Sequence, residues 1–302
     1  MKYLTISIIA TVAIILAACS KEADTPLNPP EPNNPTTDKL EIKISPSVVD
    51  SRATDFGFEN GDKIGLYVVN YNGTDPGALG TTGNHVDNMG FAYNGSWKSD
   101  SPIYWKDKNT HADFYLYYPY AGISSVSEYP FSVRTDQSTL DAYKASDFMT
   151  GKATDIAPTA SAISLPANHV MSRIVINLQA GNGFTAQSLA SASVSVKVNG
   201  VKCSSTVDIA TGAVTPTGSA TSVIPLFENN AYKAYIVPQT VDEGNLITVS
   251  VDGLEYNVKK ALTFESAKTH KCTVTLNKTA DGVDVSISPW TEDGTDNGGT
   301  AK

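Results

Sequence analysis

From Leu40 onward the chain alternates apolar and polar residues with a period of two. Leu40, Ile42 and Ile44 are separated by Glu41 and Lys43, and Ile64, Leu66 and Val68 stand at every second position. Val194, Val196 and Val198 repeat the pattern, as do Cys272, Val274 and Leu276, then Val283, Val285 and Ile287. This spacing predicts strands with one face in a core and the other in solvent. Ile174 to Leu178 reads as a more fully buried strand, and residues 112–120 (ADFYLYYPY) as an aromatic one. Asn199-Gly200 and Asp252-Gly253 each separate two strand-like runs. Both predict tight hairpins, because a type I′ turn needs positive φ at its two central residues. No long amphipathic helix is visible; a short one is expected around Thr139 to Lys144, within a loop.

Many short strands with Gly, Asn and Asp turns predict an all-β fold of two antiparallel β-sandwich domains in tandem. The Pro- and Ala-rich stretch from Thr154 to Pro166 is the expected boundary. It gives an N-terminal domain at 39–165, holding the aromatic strand, and a C-terminal domain at 166–302, holding both hairpins. Tyr104, Trp105, Phe114, Tyr115, Tyr117, Tyr118 and Tyr120 could stack on sugars. Strand alternation favours a plainer reading, with one face in the core and tyrosines exposed on the other.

Ahead of these strands the pattern changes. Lys2 precedes an apolar stretch from Leu4 to Ala18, only 15 residues long. A bilayer-spanning helix needs about 20 residues, so residues 1–18 read as a signal peptide. Leu16-Ala17-Ala18-Cys19 resembles the lipobox of bacterial lipoproteins and makes Cys19 the expected lipidation site, holding a precursor on the outer membrane. Residues 19–38 carry five prolines and few apolar residues, the composition of a disordered tether. Lys21-Glu22 weakly resembles a surface-export signal.

The formal net charge of −9 argues against nucleic-acid binding, which needs basic residues to neutralise phosphates. Besides Cys19, only Cys203 and Cys272 are present, either paired or as two buried thiols. The histidines at 85, 111, 169 and 270 are dispersed, and no Cys-x-x-Cys occurs, so no metal site or other cofactor is expected. There is no Gly-x-Ser-x-Gly, and Gly57-Phe-Glu-Asn-Gly61 lacks the Lys-Ser/Thr of a phosphate loop. Nothing singles out a general acid and base, and an enzyme is not expected.

One ordered set of short motifs is more specific. Arg52-Ala53-Thr54 is followed by Phe58-Glu59-Asn60-Gly61-Asp62-Lys63-Ile64-Gly65-Leu66-Tyr67, Ile103-Tyr104-Trp105 and Asp113 to Tyr120. Then come Ser146-Asp147-Phe148-Met149, His169-Val170-Met171-Ser172-Arg173-Ile174, Tyr235-Ile236-Val237-Pro238-Gln239 and Val285 to Trp290. In order and spacing this set resembles fimbrillin-family proteins, the subunits of type V pili. The resemblance implies two transthyretin-like β-sandwich domains and export as a lipidated precursor. It also implies cleavage by an Arg-specific protease, here at Arg52–Ala53. That cut would release the N-terminal strand bearing Leu40, Ile42 and Ile44 and open a groove for a neighbouring subunit's terminal strand. The donor would be the strand of Val283, Val285 and Ile287, with Trp290 beside it, and the partners other pilus subunits in a surface fimbrium.

Elementary physics favours such an exchange. A sandwich that loses a strand exposes unpaired backbone groups and an apolar slot, and an alternating strand fills both. A head-to-tail contact of this kind need not close and can propagate. In a lone subunit, residues 283–287 are expected to be the last strand of their own sheet. The rivals are a surface glycan-binding lipoprotein that does not polymerise, and a hydrolase on a β-sandwich scaffold.

Overall fold

The chain from Lys39 onward forms one body, given by a computed structural model that describes residues 39–49, 57–279, 282–287 and 291–292. The signal-peptide and tether segments, with Cys19, lie outside the described residues, as do Arg52, Ala53 and Trp290.

The first half supplies β1 (Ile44–Val48), β2 (Lys63–Asn70), β3 (Val86–Tyr93), β4 (Trp97–Ser99) and β5 (Ala112–Tyr118). It continues with β6 (Tyr129–Ser132), α1 (Leu140–Lys144), β7 (Met149–Ile156) and β8 (Ile163–His169). Seven of these strands form one sheet in the order β1-β8-β7-β5-β2-β3-β4. Its pairings are antiparallel except for β1 on β8, which is parallel. Ile64, Leu66, Val68, Phe114, Leu116 and Leu165 share one buried core inside this sheet. Gly65, between Ile64 and Leu66, turns toward the opposite face of the sheet, where the Tyr117 ring lies in the place its Cβ would take. The helix expected near Thr139 is α1, with the Thr139 hydroxyl accepting the Ala142 N–H at its start.

The second half supplies β9 (Ser172–Ala180), α2 (Ala186–Ser191), β10 (Val194–Val207), β11 (Val214–Val223) and β12 (Leu226–Glu228). After these come β13 (Ala231–Ile236), β14 (Gln239–Val251), β15 (Leu254–Phe264), β16 (Thr269–Thr279), β17 (Gly282–Ile287) and β18 (Thr291–Glu292). One sheet runs β11-β10-β14-β15, with β6 also paired to β10; the other runs β12-β13-β9-β16-β17, with β18 also on β16. Val196, Val198, Ile247 and Val249 from the first meet Ile174, Ile176, Val274 and Leu276 from the second in a second core. The result is the all-β, sandwich-like architecture that the alternation predicts.

Two expectations change. The aromatic strand β5 is covered on both faces rather than one. Phe114 and Leu116 enter the first core, while Tyr115 and Tyr117, with Tyr67 and Val69 of β2, pack into the second. The tyrosine face is therefore buried by the segments that follow β5 and by the second sandwich.

Asn199-Gly200 is not a hairpin. β10 runs straight through it, and the register against β11 skips from Asn199–Ser222 to Val201–Thr221. Gly200, at φ +73°, is the extra residue of a β-bulge. Asp252-Gly253 does make the predicted turn, with φ +52° and +86° between paired Val251 and Leu254.

Candidate functional site

The N-terminal segment holds to the body in two ways. Around Leu40 to Ile42 it pairs with the chain at Ile103 to Trp105: the Ile42 N–H donates to the Ile103 carbonyl and the Trp105 N–H to the Leu40 carbonyl, each at 2.9 Å. From Ile44 on it becomes β1 and lies parallel to β8, with Ile44 opposite Ile163 and Val48 opposite Ala167. Ile42 and Ile44 are buried and Leu40 and Val48 half-buried against the first core, while Lys43, Ser45 and Ser47 face solvent. The residues predicted for a removable strand thus close one side of the first core.

The sheet stops at β1. Strands β1 and β4 are the two ends of its order, and the curl of the sheet sets them on opposite sides of a cleft of about 770 Å³. Glu41 to Pro46 line one wall; Phe91, Tyr93 and Trp97 to Pro102 line the other. Pro46 suits this edge position because it has no N–H to leave unpaired. Across the cleft the Trp97 indole N–H donates to the Pro46 carbonyl at 3.3 Å. The Trp97 ring is held edge-on to Phe58, with centroids 4.8 Å apart.

In the second sandwich, β17 is an edge strand paired antiparallel to β16. Val285 stands opposite Leu276 and Ile287 opposite Val274, both fully buried residues of β16; Val283 stands opposite Lys278. This is a pairing within its own sheet, as expected for a lone subunit. Strand β18 continues along β16 at His270 and Lys271.

A third feature had no role assigned from sequence. Motifs far apart in the chain meet where β7 begins and β8 ends, with Met149 opposite His169. The His169 imidazole bonds the Asp147 carboxylate through Nδ1 at 2.8 Å. The ring stacks 6.4 Å from Tyr235, whose own ring lies 4.7 Å from Tyr143. Gln137, wholly buried, donates to the Tyr235 carbonyl and accepts its N–H. Burial is the largest influence on His169 and disfavours its charge, as does Arg173. The charge and hydrogen bond of Asp147 outweigh them, and the pKa is raised above 6.5.

Other residues weighed from the sequence take structural places. Cys203 and Cys272 are free, buried thiols, and burial pushes the Cys272 thiol up to about 12. His111 bonds Asp155 at 2.7 Å on the surface. Among the described residues no cluster of three or more metal-ligating side chains occurs, and no helix is long and apolar enough to cross a membrane.

The described residues define an all-β, sandwich-like class of protein, in which the first described strand and the late β17 are both sheet edges. Comparison with known proteins gives that class a family. The fimbrillin-like family profile matches residues 51–290, and the chain belongs to that family. It is 25% identical to "Putative fimbrium subunit Fim1C" of Bacteroides uniformis, with 94% of this chain and 93% of that one covered. It is 30% identical to "Putative fimbrium tip subunit Fim1C" of Bacteroides ovatus over 59% of this chain and 36% of that one. In fold it is similar to the crystal structure of a "putative cell adhesion protein" from Bacteroides uniformis, with TM-score 0.63 and 20% identity, covering 85% of this chain and 99% of that one.

Proposed function

We propose that this chain is a structural, non-enzymatic subunit of a surface fimbria that assembles by exchange of edge strands. In this reading it is exported as a precursor lipidated at Cys19 and anchored in the outer membrane. An Arg-specific protease cuts after Arg52, and β1 leaves with the lipid. The β17 strand of a neighbouring subunit then enters the vacated groove, giving filaments used in adhesion or biofilm formation.

The observation that supports this most is the state of β1. It is a terminal strand of its sheet, joined to one neighbour, with an open cleft on its other side. Removing it uncovers Leu165 and Ala167 on β8 and a row of backbone groups, while the rest of the sheet keeps its order. The Arg52–Ala53 bond falls in sequence just after this strand and before β2. In a bulk sense the family itself, one of fimbrial subunits, fits a role without catalysis.

The glycan-binding alternative rested on the aromatic run. Phe114, Tyr115, Tyr117 and Trp105 are buried and Tyr118 and Tyr120 half-buried, leaving Tyr104 as its exposed member at 38%. That leaves little platform for a sugar, and the structural role is preferred.

The test is to treat the purified full-length precursor with an Arg-specific protease and follow it by gel and electron microscopy. Cutting after Arg52 should yield ladders and filaments, and a chain lacking residues 283–302 should be cut without forming them. An uncut Arg52–Ala53 bond, or cut protein that stays monomeric, would refute the reading.

A further inference from the structure

The N-terminal segment has two backbone edges, and only one of them is paired along its whole length. In an extended strand, successive residues turn their N–H and C=O groups to opposite sides. The odd-numbered residues turn theirs to β8: the Lys43 carbonyl accepts the Ile163 N–H, and the Val49 N–H donates to the Ala167 carbonyl. The even-numbered residues turn theirs the other way. Leu40 and Ile42 are paired there, to Trp105 and Ile103, with Glu41 bridging antiparallel to Tyr104 between them. By the same alternation Ile44, Pro46 and Val48 direct their backbone groups into the cleft beside β1.

Carried on, the ladder begun at Leu40 and Ile42 sets Ile44 against Ser101, Pro46 against Ser99 and Val48 against Trp97. The facing strand is oriented for it. The Asp100 N–H donates to the Gly90 carbonyl of β3, and the Ser96 carbonyl accepts from Asn94, so the intervening Trp97 and Ser99 direct their groups to the cleft. Yet β1 and β4 share no ladder. The break falls at Pro46. Its nitrogen has no hydrogen for the Ser99 carbonyl. Its own carbonyl, which the ladder would give to the Ser99 N–H, accepts the Trp97 indole instead at 3.3 Å. Pro46 is buried on the core side like Ile42 and Ile44, a place that any apolar residue fills while keeping its N–H.

We propose that Pro46 holds the N-terminal strand half-zipped, and that its seat is a strand-binding site with two edges, β8 and β4, of which β1 uses one. The occupant that uses both is β17 of a second copy of this chain. This rests on the strand-exchange reading and adds to it what drives the exchange forward. Gly282 to Ile287 places apolar residues at every second position, the spacing of Ile44, Pro46 and Val48, and contains no proline. In the place of β1 it meets β8 on one side and Trp97 and Ser99 on the other, and the sheet closes with neither edge left open. Charge agrees. With β1 gone, Glu41 and Lys43 go too, and the β4 wall keeps Lys98, its Asp100 matched by Lys63 at 2.8 Å. The run from 280 to 293 carries Asp281, Asp284, Glu292 and Asp293 and no Lys or Arg.

The first test is hydrogen exchange on the uncut full-length protein, unmodified and as Pro46→Ala. Alanine restores the N–H and removes apolar bulk. A proline kept for packing predicts that the truncation loosens β1 and speeds its amides. A proline that stops the ladder predicts the opposite: the amides of Ile44, Val48 and Ser99 slow by about two- to tenfold, the worth of one hydrogen bond. Protection that stays the same or falls would overturn the proposal, whether or not the chain polymerises. After cutting at Arg52, Pro46→Ala should also keep its N-terminal strand longer and form ladders more slowly; rates equal to the unmodified protein would count against it.

The second test offers a peptide of residues 280–292 to the cut protein. Its binding should release the N-terminal fragment, keep Leu165 and Ala167 of β8 protected, and newly protect Ser99 of β4. Binding that protects β8 alone would overturn the second edge. A peptide that does not bind would overturn the occupant named here together with strand exchange itself, while the exchange rates in the uncut protein still judge Pro46.

Discussion

The indole of Trp97 reaches across the cleft between the two ends of the first sheet and donates its N–H to the carbonyl of Pro46, 3.3 Å away. The contact joins β4 to β1 from the side on which β1 has no paired strand. It also connects the N-terminal strand to Phe58, a residue that lies just ahead of β2 and packs edge-on against the same indole.

Trp97→Phe tests that link. A smaller aromatic ring stays and the donor goes, so stability should fall by at least about 0.5–1.5 kcal/mol, the net worth of one hydrogen bond. Hydrogen exchange should quicken at β1 amides and leave β10 and β14 unchanged.

Truncating the apolar anchors of the same segment should cost more. Ile42 is 3% exposed and Ile44 is 7% exposed. Ile42→Ala or Ile44→Ala should each destabilise by about 2–5 kcal/mol, and Ile42→Val by about 0.5–1.5 kcal/mol. Urea denaturation gives the difference. Lys43→Ala, on the solvent side, should change little.

The His169–Asp147 pair predicts a pH dependence with a definite sign. The folded pKa of His169 is raised above 6.5. A raised pKa means that the native state holds the proton more tightly than the unfolded chain. The stabilisation is therefore complete below the unfolded value and is lost as pH climbs through the folded one. Urea midpoints measured from pH 5 to 9 should decline on the upper side of 6.5 in the unmodified protein. In Asp147→Asn that contribution should flatten or reverse, because burial and Arg173 then act unopposed.

Gly200 offers a purely conformational test. It sits at φ +73° with the Val241 side chain 3.3 Å from where a Cβ would stand. Gly200→Val should destabilise by about 1–3 kcal/mol. Gly200→Asn, which tolerates positive φ better, should cost less. Thermal melts of the two variants decide it.

The buried thiols predict silence. Cys203 and Cys272 are free, and burial raises the pKa of both. Alkylation of their peptides, read by mass spectrometry, should be negligible in buffer and rapid in denaturant.

How far the sequence could be read depended on the range of the forces involved. Alternation is local, so strands such as β2, β16 and β17 were legible from it, and the short helix α1 was expected around Thr139 to Lys144. Asp252-Gly253 makes its hairpin because the strands on either side pair with each other. Asn199-Gly200 carries the same dipeptide signal, but there β10 pairs with β11 across the dipeptide, with β14 before it at Val194 to Val198 and with β6 after it at Ser204 to Val207. Their ladders carry the chain straight on, and the positive φ is spent on a bulge. The buried tyrosines of β5 were missed for a similar reason: period two says which residues share a face, not that both faces will be covered. The candidate strand residues Leu40, Ile42 and Ile44 stood out by pattern. The His169 cluster did not, because its members come from positions 137 to 235, and no local rule brings Asp147 to His169 or either to Tyr235.

Strand β8 passes almost directly into β9. Only Val170 and Met171, both buried, separate the strand that pairs with β1 from the strand that pairs with β16. Whatever lies alongside β8 and whatever lies alongside β16 are thus joined through one short run of backbone. Tension applied to the two would travel down that run and load the flanking ladders lengthwise. Rungs pulled lengthwise must slip together rather than peel off singly, which is the stronger way for a sheet to bear a load.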